Sequence, residues 1–159
     1  MRKIVKLLLI LFIIIILHYF VSSLLSPLNF LEIINIALML FFLFWGIDKS
    51  IKIALILGIA KDYGQTINIG VSSIIYLSAL IIVCIMRNTV LTHQNRAAVF
   101  LLSLFFNSIY FIGFILSKFN LNIMIIQEAA IALLVNTIFT FLIFIFIQWF
   151  QSQFRKRFI

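Results

Sequence analysis

Three acidic side chains lie near the ends of apolar segments and could do chemistry together: Glu32, Asp62 and Glu128. The fourth acid, Asp48, stands beside Lys49. A carboxylate near lipid is costly unless it is solvated, paired or used in function. Three interpretations follow. The three acids form a cation or proton site, they hold helix ends together through hydrogen bonds, or each one contacts water at the headgroup level.

The segment 53–73, IALILGIAKDYGQTINIGVSS, concentrates unusual residues. It contains Asp62 and three of the five glycines, Gly58, Gly64 and Gly70. Gly58 and Asp62 stand four residues apart, so they share one face of a helix. A small residue there lets a neighbouring helix approach closely. Because glycine permits positive φ, Gly64 and Gly70 indicate an ordered turn between two helices.

Amide and hydroxyl side chains recur at helical spacing in the later apolar segments. They include Asn107 in the fifth segment and Asn136 in the sixth, where Asn136 follows Glu128 by eight residues. Such side chains usually bond across helices inside a membrane. We therefore expect them to face the interior of a helical bundle rather than a ligand.

No set of residues predicts catalysis. Ser72 and Ser73 lack the G-x-S-G context of a rhomboid-like nucleophile, and one intramembrane Asp is too few for an aspartyl protease. His18 and His93 are expected near opposite sides of the membrane, which excludes a shared metal site. We expect a protein that is not an enzyme and has no cofactor. A single cysteine, Cys84, excludes an intrachain disulfide and is expected to be a small buried hydrophobe.

Composition places the whole chain in a bilayer. Of its 159 residues, 65% are hydrophobic and 10% are charged, and the mean hydropathy is +1.30. Soluble domains are about 25% charged, and a spanning helix needs about 20 apolar residues. The net charge of +8 does not indicate nucleic-acid binding, because the basic residues stand at segment ends. We predict a single integral membrane domain, 1–159, with apolar segments at 4–24, 28–46, 51–60, 69–86, 97–117 and 123–150.

The distribution of Lys and Arg orients these segments. With six spans and a cytoplasmic N-terminus, ten basic residues lie inside and two, Lys61 and Lys118, lie outside. If the third segment were re-entrant, the division would be seven against five. The positive-inside rule therefore favours an all-α bundle of six transmembrane helices with both termini cytoplasmic. The third helix is expected to be short.

The C-terminal end alternates aromatic and basic residues. Phe150, Phe154 and Phe158 repeat at i+4, with Arg155, Lys156 and Arg157 among them. This pattern is typical of an interfacial helix on anionic lipid. A contact with a cytoskeletal filament is a second interpretation, and a plain anchor that orients the chain is a third.

The run from Gly58 to Asp62, followed by Gly64 and Gly70-Val-Ser-Ser, resembles the signature of the bacterial rod-shape-determining protein family MreD. That family has a glycine four residues before an aspartate at the end of a short helix, then a glycine-bearing turn and a second glycine. Pro27 to Glu32, Gly46 and Asn136 also resemble family features. Two residues depart from the pattern. Asn107 stands where members often have an acid, and Lys61 is unusual and is expected to pair with Asp62 or to extend outward.

The resemblance implies a non-catalytic subunit of the cell-wall elongation machinery in the bacterial inner membrane. Its implied partners are an MreC-like protein and, through it, MreB filaments, the glycosyltransferase RodA and a penicillin-binding transpeptidase. Two hypotheses from other classes stay open. One is the substrate-binding subunit of an energy-coupling-factor-type transporter, although the outer turns are short. The other is a proton or ion pathway built on Glu32, Asp62 and Glu128.

Overall fold

The computed structural model describes residues 12–20, 32–65, 69–89, 95–117 and 123–157. Within these ranges the chain is helical apart from short turns, as the sequence predicts. The six helices are α1 over residues 12–20, α2 Ile33–Trp45, α3 Ile47–Gln65, α4 Val71–Thr89, α5 Arg96–Ser117 and α6 Ile123–Arg157.

Three helices are long and apolar enough to cross a membrane. The apolar spans are Val71–Asn88 in α4, Arg96–Ser117 in α5 and Ile126–Ser152 in α6. The described part of α2 is equally apolar but has only 13 residues. Large apolar side chains such as Ile74, Leu116 and Phe146 are exposed on the outside of the helices. Such a surface is a liability in water and is favourable against lipid, so the chain is a membrane protein.

The predicted third segment, 51–60, is too short and needs correction. The observed α3 has 19 residues, as many as α4. Hydropathy delimits only the apolar part of a helix, and charged residues extend α3 at both ends. Asp48 lies in its first turn, where a carboxylate interacts favourably with the helix dipole. Lys61 and Asp62 continue the helix because both find partners inside the protein, as described below.

The last helix is also longer than the predicted 123–150. With 35 residues and a rise of about 1.5 Å per residue, α6 is about 52 Å long. The hydrocarbon core of a bilayer is about 30 Å thick. Arg155, Lys156 and Arg157 therefore belong to the last turn of α6 and continue its apolar span without a break.

The packing order places α2 against both the first and the last of the four helices that follow it. Helix α3 packs on α4, α4 on α5 and α5 on α6, while α2 contacts α3, α5 and α6. The core between them is largely aliphatic and aromatic. Its largest fully buried side chains include Phe42, Phe106, Tyr76 and Tyr110. The two tyrosines bring hydroxyl groups into this core, where these groups form hydrogen bonds with other polar side chains.

Candidate functional site: a buried polar cluster beside the α3–α4 hairpin

Gly58 lies where α3 and α4 come closest. A Cβ atom added at Gly58 would stand 2.3 Å from Ser73 Oγ and 2.5 Å from the backbone N and Cα of Ser73. The Ser73 hydroxyl in turn donates a hydrogen bond of 3.2 Å to the carbonyl of Leu55. Backbone atoms cannot move aside as a flexible side chain can. No other residue type fits at position 58 without separating the two helices.

Asp62 caps the helix that follows its own. Its Oδ2 accepts a hydrogen bond of 2.7 Å from the Gly70 N–H, and both carboxylate oxygens lie 3.2 Å from the Ser72 nitrogen. The first N–H groups of a helix have no partner within the helix, so an acidic acceptor at this end stabilises α4. Asp62 is 1% exposed. Its carboxylate is therefore used to join α3 to α4.

The turn between these helices is shorter than the predicted glycine-to-glycine stretch. Gly64 is helical and belongs to the last turn of α3. Gly70 directly precedes α4 and has φ +102°, a conformation that favours glycine. Residues 66–68 lie outside the described part of the chain. We use the name hairpin for residues 54–65 and 69–76, which hold the contacts of Gly58, Asp62 and Gly70.

Lys61 points away from Asp62 and into the bundle. Its ammonium forms an ion pair with the Glu32 carboxylate and donates to the Tyr110 hydroxyl. The same Nζ lies 4.8 Å from the ring centroid of Tyr110 and 5.8 Å from that of Phe114. The expectation that Lys61 pairs with Asp62 or extends outward is wrong. Consecutive residues of a helix project about 100° apart, so Lys61 and Asp62 meet different neighbours.

Glu32 joins α2 to two other helices. Its carboxylate pairs with Lys61 of α3, and its backbone N–H donates 2.8 Å to Asn136 Oδ1 of α6. The Asn136 amide also donates 2.7 Å to the carbonyl of Ala132. Both hydrogen bonds are of ordinary length. Asn136 thus holds the start of α2 against the middle of α6.

Two stacked tyrosines extend the polar contacts to α4. The rings of Tyr76 and Tyr110 are nearly parallel, 13° apart, with centroids 5.1 Å from each other. The Tyr76 hydroxyl donates 2.7 Å to Asn35 Oδ1, one turn along α2 from Glu32. Buried tyrosines usually find such partners for their hydroxyl groups.

Helix α1 completes the arrangement. His18 is buried and lies close enough to Glu32 and Lys61 to interact electrostatically with both. The neighbouring Tyr19 hydroxyl donates 2.8 Å to the carbonyl of Ala60 in α3. Five helices and the residue that precedes α2 therefore each contribute one side chain to a group of buried and half-buried polar residues, which we call the polar cluster: His18, Glu32, Lys61, Tyr76, Tyr110 and Asn136.

Glu128 does not belong to the polar cluster. Its side chain is exposed on the first turns of α6. Eight residues separate it from Asn136, which touches Glu32, so the two lie about 12 Å apart along the helix axis. The interpretation that Glu32, Asp62 and Glu128 form one site therefore does not extend to Glu128, which is exposed and lies nearer the start of α6 than the contact with Glu32. A helix start in the sequence does not determine how far that helix is shifted along its neighbours.

A second polar layer joins α5 to α6. The Asn107 amide donates 3.0 Å to the Ser103 carbonyl and 3.2 Å to Thr137 Oγ1. Three buried polar atoms of the described residues have no hydrogen-bond partner: Asn35 Nδ2, Ser103 Oγ and Asn107 Oδ1. Polar atoms of this kind are where buried water is found in protein interiors.

The chemistry available to the site is that of an ion pair with hydrogen-bonding neighbours. Within the described ranges, no three His, Cys, Asp or Glu side chains stand together as metal ligands would. The predicted residue His93 lies outside the described part of the chain. The sequence predicts Asn136 and Glu32 as intramembrane polar residues but does not predict the partners of Lys61 and the two tyrosines. The available signal was a lysine directly after the apolar run of the third segment.

Comparison with protein-family models, curated proteins and solved structures finds no match to this chain.

Proposed function

We propose that this chain is a non-catalytic scaffold subunit of the bacterial cell-wall elongation machinery, of the MreD type, and that it helps to maintain rod shape. One observation carries the proposal. Gly58, Asp62 and Gly70, on which the sequence resemblance rests, act together in the hairpin. Gly58 allows the close approach of α3 and α4, Asp62 caps α4, and Gly70 makes the turn. The signature residues thus have one shared structural purpose.

The proposed topology has six spans, with both termini in the cytoplasm of the bacterial inner membrane. The length of α3, 19 residues, is sufficient for a full crossing, although α3 is not among the three helices whose described residues are apolar enough to span by composition. Because Lys61 is paired inside the bundle, Lys118 is left as the one basic residue of the twelve assigned to an outer loop. The burial of Lys61 therefore strengthens the charge asymmetry on which the orientation depends.

A scaffold role needs a rigid body with surfaces for partners. The hairpin and the polar cluster hold all the helices together at one level of the bundle. The proposed partner is an MreC-like protein and, through it, MreB filaments, RodA and a penicillin-binding transpeptidase. The basic last turn of α6, with Arg155, Lys156 and Arg157, would face the cytoplasm and anionic lipid.

Depletion of the protein from its rod-shaped host tests this proposal. We expect round cells, return of rods with the wild-type chain, and chemical crosslinks to an MreC-like protein. Normal rods after clean deletion would overturn the proposal. A calorimetric titration with vitamin-like ligands provides a second test, because a scaffold gives no heat of binding and a transporter subunit does.

A further inference from the structure

The ion pair between Glu32 and Lys61 lies near one end of α2 and α3, because Glu32 directly precedes α2 and Lys61 stands four residues before the end of α3, but it lies beside the middle of α6. Asn136, which contacts Glu32, stands ten residues beyond Ile126, the start of the apolar span of α6. That separation is about 15 Å along the helix. Ionisable residues at such positions are rare and costly, and they mark proton relays or ion pathways in many membrane proteins.

The two charges differ in how easily solvent reaches them. The Lys61 side chain is 0% exposed, whereas the Glu32 side chain is 12% exposed. The carboxylate is therefore the more accessible partner of the pair, whereas the ammonium is enclosed by Glu32, Tyr110 and Phe114. A change of charge in this pair would begin at Glu32.

We propose that Glu32 is a proton-binding site whose occupancy controls how tightly α2 is held against α3 and α5. Uptake of one proton converts the Glu32 carboxylate into a carboxylic acid. Lys61 keeps its charge and retains the Tyr110 hydroxyl and two aromatic ring faces, but it loses its counter-ion. A buried charge without a partner is strongly destabilising, so the contact between α2 and α3 weakens.

The groups around Glu32 come from every helix packed against it. Among the described residues the titratable ones are His18 on α1, Lys61 on α3, Tyr76 on α4 and Tyr110 on α5. Asp62 lies beside Lys61 in sequence but is occupied at the start of α4. From α6, the neutral amide of Asn136 faces Glu32. Among these described groups, Lys61 is thus the ion-pair partner of Glu32, and it decides the response.

Asn35 adds a hydrogen-bonding group next to this site. Its Oδ1 accepts from Tyr76, while its buried Nδ2 has no partner. Asn35 stands three residues after Glu32, so both lie on one face of the start of α2. This inference goes beyond the scaffold function and does not depend on it.

The chain allows a clean assay, because Glu32 and Glu128 are its only glutamates. The full-length Glu128→Gln variant, grown with carboxyl-labelled [13C]glutamate and placed in nanodiscs, carries the label at Glu32 alone. Infrared spectra would then be recorded from about pH 8 down to about pH 2, because the Lys61 charge favours the carboxylate and the scan must extend below the ordinary range of a glutamate carboxyl group. We expect the band of a protonated, labelled carboxyl group to appear as the pH falls, together with a fall in thermal stability at the same midpoint.

Lys61 variants decide whether the pair controls this titration. Lys61→Met should move the infrared midpoint to higher pH by at least about one unit, a tenfold change in proton concentration. Lys61→Arg, which keeps the charge, and His18→Gln should leave the midpoint nearly unchanged. If Lys61→Met does not fold, the Lys61→Arg spectra and the matching thermal midpoint still test the proposal. The proposal is overturned if Glu32 stays ionised throughout, or if its protonation leaves thermal stability unchanged.

Discussion

The hairpin and the first turns of α6 both carry an acid at the end of an apolar segment, but the two acids have opposite surroundings. Asp62 is buried and accepts hydrogen bonds from the backbone N–H groups of Gly70 and Ser72. Glu128 is exposed, with Gln127 and Ala130 also exposed beside it. An acid in an apolar sequence is thus structural where a neighbouring helix end needs an acceptor. Small residues such as Gly58 let two helices pack closely and so determine which acid lies within reach of a neighbouring helix end.

The largest effect is expected from filling the closest helix contact. Gly58→Leu would place a side chain on the backbone of Ser73, so α3 and α4 must separate. We expect almost no folded protein to accumulate in membranes. Ala130→Leu, an equally large addition on the exposed face of α6, should accumulate at the wild-type level. Quantitative immunoblots of membrane fractions would measure both. Equal levels of the two variants would contradict the difference between the regions.

The next largest effect concerns Lys61. Lys61→Met leaves the half-buried Glu32 carboxylate without a counter-ion and should lower the free energy of unfolding by about 3 kcal/mol. The double variant Lys61→Met/Glu32→Leu removes both charges and should recover most of that loss. Reversible denaturation in detergent micelles would compare the three proteins. A double variant as unstable as the single one would show that the pair is not the source of the loss.

A smaller effect is expected from the acids themselves. Asp62→Ala leaves the Gly70 and Ser72 N–H groups without an acceptor, at a cost of about 2 kcal/mol. Glu128→Ala removes an exposed carboxylate and should leave stability unchanged. The same denaturation assay applies. If both variants lost similar stability, Glu128 would have a partner comparable with that of Asp62.

The smallest effect concerns a single hydroxyl group. Tyr76→Phe keeps the ring stacked on Tyr110 and removes the donor to Asn35 Oδ1. We expect a loss of about 1 kcal/mol in the free energy of unfolding. Gln127→Ala on the exposed face of α6 is the matched control and should cause no loss. A neutral Tyr76→Phe would mean that Asn35 finds another donor.

Local spacing predicts the hairpin better than it predicts the polar cluster. The four-residue interval from Gly58 to Asp62 indicates a shared helix face, and Gly70 indicates a turn; both are properties of short stretches of chain. The direction of Lys61 is not local, because its partner Glu32 stands 29 residues earlier on another helix. Hydropathy also underestimates the length of α3, because it places a helix end at charged residues whether or not those residues have partners in the folded protein.

The position of Glu128 shows the same limit. The sequence shows where α6 begins. The position of α6 along α2 depends on the contact between Asn136 and the backbone of Glu32. An asparagine has many possible partners, and sequence spacing does not select among them. The sequence places Glu32, Asp62 and Glu128 near three helix ends and so indicates a common position. In the packed bundle, Glu128 is separated from the other two.

Carboxyl labelling of the native protein tests the difference between the two regions most directly. The full chain in nanodiscs would be treated with a water-soluble carbodiimide and an amine, and modification of each acid would be followed by mass spectrometry. We predict rapid modification of Glu128 and protection of Asp62, with Asp62 becoming reactive only after unfolding. Modification of Asp62 and Glu128 at equal rates in the native protein would contradict the buried hairpin and the account built on it.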